Sequence, residues 1–105
     1  GMEKDFRDII ARTEETYHSI KKTAPPAAAY ILTNAHRRRV SMKVNARELY
    51  HIARLRGDQY AQWDIRQTAK KMTELGRKAM PLTLILATGK DDFNLLYDRI
   101  FHPAN

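Results

Sequence analysis

Three groups of residues combine charge or hydrogen-bonding capacity with a spacing that lets them act together. Arg47, His51 and Arg54 recur at i, i+4 and i+7, which on a helix places all three on one face. Two guanidinium groups flanking an imidazole repel one another unless they are solvated or given an anion. A flat guanidinium suits a phosphate or the carbonyls of a planar heterocycle. A solvated polar face is the plainer reading of the same residues. Arg56 falls on the stripe that begins Leu49, Ile52 and Ala53, where a leucine is expected. A charge on a buried stripe costs several kcal/mol unless it is paired, although a cation at a helix C-terminus meets the negative end of the dipole and can reach water. Contact with a ligand and ion pairing with Glu48, Asp58 or Asp64 both meet that requirement. Finally, "HRRR" at 36–39 could line a nucleic-acid backbone or form a solvated or oligomer-facing strand end. With no aromatic residue interleaved for base stacking, nucleic acid is the weaker of these readings.

Other chemistry is poorly served. The four histidines, His18, His36, His51 and His102, have no paired metal-ligand spacing, and cysteine is absent. There is no Gly-rich phosphate loop and no Ser-His-Asp order. "RGD" at 56–58 matches an adhesion tripeptide, which requires an exposed extracellular loop; the charged N-terminus has no secretory pattern. Nothing local declares a self-sufficient enzyme.

With 105 residues, the chain is expected to form a single domain, 1–105, with a core of its own. Its 19 Lys and Arg against 12 Asp and Glu leave a net charge of +7, so an anionic partner or ligand is expected. No stretch approaches the roughly 18 apolar residues of a membrane span. A cysteine-free chain is in keeping with a cytoplasmic location.

The elements that must carry these residues can be read from periodicity. Phe6, Ile9, Ile10, Thr13, Tyr17 and Ile20 mark one face of a helix over 5–22, ended by Pro25 and Pro26. A short helix through "AAAYIL" follows. "HRRRVSMKV" changes period, with Val40, Met42 and Val44 on one side, and is expected to be a half-buried strand. Asn45 and Glu48 form a capping pair for a helix from 46 to 56. Asp58 should cap the next helix, with the stripe Ala61, Ile65, Ala69 and Met72 and an end near Gly76. "LTLILATG" cannot be assigned by period, with helix favoured over strand for 82–88. Asp91 should cap a last helix carrying Phe93, Leu96, Tyr97 and Ile100. A lone strand needs a neighbour for its backbone groups, so homo-oligomerisation is expected.

Taken together, "VNARELYHIARLRGDQYAQWDIRQTAKKM" resembles the C-terminal half of the flavin-dependent thymidylate synthases. The resemblance rests on Asn45, Arg47, Leu49, His51, Leu55, Arg56, Ala61, Gln62, Trp63, Asp64 and Ile65 in register. Upstream, "PPAAAYILTNAHRRRVSMKVN" is similar to that family's proline, short helix and strand, so the likeness covers about 20–75. It implies an α+β, mostly helical fold with a short β-strand region. Enzymes of this family use FAD, NADPH and methylenetetrahydrofolate to methylate dUMP, as homotetramers with shared active sites. The resemblance implies that Asn45, Arg47 and His51 contact FAD and that Arg56 contacts dUMP.

Two departures are informative. The family's R-H-R signature, which supplies further flavin and nucleotide contacts, has no match in these residues, and "HRRRVS" has its serine at the wrong spacing. An arginine that helps hold the dUMP phosphate aligns with Ala29. The expectation is therefore a FAD- and dUMP-binding module that does not make dTMP alone, with NADPH relevant only if a separate chain supplies the N-terminal half. A basic nucleic-acid-binding module and a ligand-free assembly subunit are the alternatives.

Overall fold

The computed structural model describes residues 1–104. It contains two compact units, 1–41 and 42–105. Helices dominate both.

In the first unit, α1 (Met2–Thr23) extends the expected 5–22 by a few residues at its start, where Glu3 and Asp5 sit favourably in the first turn. The Glu3 carboxylate accepts from Arg7 one turn on, at 2.9 Å. Ile10, Thr13, Tyr17 and Ile20 are half-buried, while Phe6 and Ile9 remain exposed. Ala24 ends α1. Proline at the first position then opens α2 (Pro25–Ala28), which tightens into a 3-10 turn at Ala29–Ile31. Ala28 is the buried residue of this unit.

No strand forms among the described residues. Residues 37–45 have no regular structure, and Val40, Met42 and Val44 are exposed. The half-buried strand expected over 36–44 is thus not seen, because alternation alone supplies no partner for a ladder. The mostly helical part of the α+β expectation holds.

In the second unit, α3 (Ala46–Arg56) begins as expected. Asn45 is extended, and its side-chain oxygen accepts from the Glu48 N–H at 2.9 Å. Leu49 and Ala53 face inward. Asp58 does not cap α4 (Trp63–Ala79). Gln62 does, accepting from the backbone N–H groups of Asp64 and Ile65 at 3.1 Å. The Asp58 carboxylate instead accepts from the Tyr60 N–H two residues on, at 2.9 Å, a local turn that outcompetes a longer cap. Nor does α4 stop at Gly76. That glycine lies inside the helix, where a Cβ would sit 2.6 Å from a Leu49 methyl and 2.9 Å from a Leu84 methyl. It is there for close packing.

Residues 81–88 form turns rather than helix or strand. Side chains from α3 and α4 take their backbone groups. The Tyr50 hydroxyl donates to the Thr83 carbonyl at 2.9 Å and accepts from the Leu86 N–H at 3.3 Å. Arg77 donates to the carbonyls of Leu84, at 3.3 Å, and Ala87. With those groups satisfied, Leu84 and Ala87 are buried against Leu49, with Ala46, Tyr50 and Met72 at the edge of this core. A 3-10 turn at Lys90–Asp92 leads into α5 (Phe93–Phe101), and Asp91 makes no side-chain cap for it. Phe93, Tyr97 and Phe101 stack along one side of α5, with ring centroids 6.1 and 4.8 Å apart.

Candidate functional site

The polar face of α3 opens on a cleft of about 490 Å³, within the size range of small-molecule sites. Arg47, Tyr50, His51 and Arg54 form one wall. All but the half-buried Tyr50 are exposed, at positions where the helix turns them away from Leu49 and Ala53. Leu86, Thr88, Lys90, Phe93 and Asn94 form the other wall, held in place by the Tyr50 and Arg77 hydrogen bonds to the 81–88 turns. Three cations, two aromatic rings and two neutral polar side chains therefore share one space, and no carboxylate among the described residues lines it.

A charged knot lies at one end of this wall. Lys90 Nζ is 3.1 Å from Asp58 Oδ2. The Tyr60 N–H and a hydrogen bond to Asp91 hold the Asp58 carboxyl below its ordinary value, while sharing that hydrogen bond raises Asp91. Asp58 in turn raises the Lys90 amine. The backbone beneath is tightly apposed: a Cβ on Gly89 would lie 2.6 Å from the Gly57 carbonyl oxygen.

Of the residues singled out in the sequence, Arg47, His51 and Arg54 meet in the cleft. Asn45 and Arg56 are not among its lining residues. Arg56 is exposed at the last position of α3, and its side chain forms no hydrogen bond or ion pair among the described residues. The stripe is buried at Leu49 and Ala53 but ends before reaching it, and Asp58, one of its expected partners, holds Lys90 instead. Sequence reasoning missed Lys90, Thr88 and Asn94 as site residues and placed Phe93 only on a helical stripe. The "TGKDD" turn before α5, charged and flanked by glycine, was their available signal. In the first unit, the Arg38 guanidinium lies 5.0 Å from the Tyr17 ring centroid and Lys21 Nζ 5.7 Å from it, so part of the "HRRR" run is engaged locally. The Tyr17 hydroxyl is lowered chiefly by its hydrogen bond with Arg38.

The model of the thymidylate synthase complementing protein family matches residues 1–82. The chain belongs to that family. Relatives are the flavin-dependent thymidylate synthases of Haloarcula marismortui, 32% identical over 74% of this chain and 32% of the relative, and Sulfurisphaera tokodaii, 35% identical over 77% and 34%. That of Saccharolobus solfataricus is 36% identical over 76% of this chain and 30% of its own. The chain thus spans about a third of the length of the curated relatives it matches. No solved structure matches it. The family match includes α3 and its wall of the cleft, whereas Leu86, Thr88, Lys90, Phe93 and Asn94 lie beyond it. No helix among the described residues is long and apolar enough to cross a membrane.

Proposed function

We propose that this member of the family is a FAD- and dUMP-binding module and that its 105 residues do not make dTMP alone. One observation carries the reading: Arg47 and His51, two of the three flavin-contacting positions implied by the family resemblance, share a cleft with Arg54, Lys90, Tyr50 and Phe93. The donor set fits the cofactor, since cations suit its phosphates, aromatic rings its heterocycle, and Thr88 and Asn94 its polar edge. The names of the relatives support a flavin. Asn45, at the start of α3, assigns its oxygen to the cap and keeps its amide N–H groups for the ligand. Arg56 serves the pyrimidine from the exposed end of the helix.

The residues of this chain bind and orient; the flavin, when bound, supplies the redox chemistry. NADPH and a separate chain carrying the R-H-R half enter only in a complete cytoplasmic synthase. Exposed Val40, Met42 and Val44 support homo-oligomerisation in which 36–44 gains its β partner from a second copy. Calorimetric titration with FAD and dUMP, separately and together, tests the reading. Heat of binding for FAD is expected, and silence in every titration removes the proposal. Assays with FAD, NADPH, methylenetetrahydrofolate and dUMP should yield no dTMP; turnover by the chain alone would contradict the second half of it.

A further inference from the structure

Lys90 lies beyond the family-matched stretch, yet it occupies the cleft with Arg47 and Arg54. Its partner Asp58 is inside the fold, with 6% of its side chain exposed, whereas Lys90 keeps 52%. An ammonium has three donors, and the single contact to Asp58 Oδ2 leaves others without a protein partner among the described residues. The base of the side chain is fixed as well, because the Gly89 backbone packs directly on that of Gly57 at the end of α3. The ammonium is therefore tethered through Asp58 in the cleft that the polar face of α3 lines. Asp58 offsets the charge of Lys90 only, and the two arginines opposite have no carboxylate in the lining among the described residues. The space is short of negative charge.

The geometry points to Lys90 as a ligand-binding residue of this chain, whose ammonium takes the phosphate of a heterocyclic nucleotide lying between Tyr50 and Phe93. The inference rests on the proposed function and adds to it the residue that distinguishes phosphorylated from unphosphorylated ligands. Asp58 acts as the resident anion that keeps Lys90 extended before the phosphate arrives.

Matched pairs test it: FMN against riboflavin, and dUMP against deoxyuridine, each titrated into the wild-type chain, Lys90→Ala and Lys90→Arg. A lost charge-assisted hydrogen bond predicts that Lys90→Ala binds the phosphorylated member at least about tenfold more weakly. Its unphosphorylated counterpart should change by less than about twofold on the same scale, and Lys90→Arg should recover the difference. The pair that responds identifies the nucleotide. Equal losses for both members of each pair, or no loss in either, overturn the role of Lys90 while leaving the proposed function standing. A wild-type chain silent to all four compounds overturns the role of Lys90, and silence to FAD as well overturns both. Circular dichroism of each variant confirms that the helices are retained, and the unphosphorylated ligands serve as the internal control for a damaged cleft.

Discussion

Gly89→Ala isolates the backbone contact beneath the cleft. Gly89 has φ −61° and ψ 152°, a conformation open to alanine, so restricting the unfolded chain should on its own stabilise the protein by about 0.4–1 kcal/mol. Space decides the opposite. The new Cβ would lie 2.6 Å from the Gly57 oxygen, 2.8 Å from its carbonyl carbon and 3.1 Å from the Asp58 nitrogen, all backbone atoms that cannot swing aside as a side chain would. Relief to an ordinary contact of 3.4 Å needs a separation of about 0.8 Å, and overpacking of this kind costs about 1–3 kcal/mol. The net expectation is a loss of about 1–2 kcal/mol. At a urea slope of about 1.5 kcal/mol/M, the midpoint falls by about 1 M. Trp63, the single tryptophan, lies in the same unit and reports the transition by fluorescence. A midpoint equal to or above wild type would refute the reasoning.

Tyr50→Phe removes the hydroxyl that serves Thr83 and Leu86 and should cost about 1–3 kcal/mol, with faster hydrogen exchange across 81–88 as the local signature. Asn45→Ala should lose about 1 kcal/mol through the cap alone; Asn45→Ser keeps the cap, so a drop in FAD affinity at near-wild-type melting temperature would assign the amide to the ligand. Asp58 has a carboxyl lowered from 3.8, so its contribution is present above that value and disappears as pH falls through the folded-state pKa. The Lys90 amine is raised from 10.5, and its contribution disappears as pH rises through the folded-state pKa. Asp91, raised from 3.8, opposes Asp58: its contribution is present below 3.8 and lost as pH rises through the folded-state pKa. Melting curves from pH 2 to 11 should therefore show a shallower acid limb in Asp58→Asn and a steeper one in Asp91→Asn.

What could be read from the sequence was what is decided locally. The Asn45–Glu48 cap is a contact three residues long, and the helical period of α1 and α3 needs only neighbouring turns. The arrangement of Arg47, His51 and Arg54 followed from the same period. Misreadings arose where distant groups decide. The 81–88 segment is set by Tyr50, 33 residues before the carbonyl it holds, and by Arg77 on α4. Asp58 looked like a helix cap, but its oxygens go to Tyr60 and to Lys90, the latter remote in sequence. Gly76 read as a stop because glycine often ends helices; here the methyls of Leu49 and Leu84 require it. The strand expected over 36–44 needed a partner that alternation cannot supply. Arg56 is exposed where the stripe suggested burial, because extending a stripe by one more turn assumes that the core extends with it.

The two walls of the cleft stand in different relations to the family. One is carried on α3, inside the stretch that the family model matches, and the other on five residues that follow it. Ligand preference can therefore be retuned from the facing segment while the helix is left intact. Grafting 83–94 onto another member would transplant one side of the recognition surface as a single cassette.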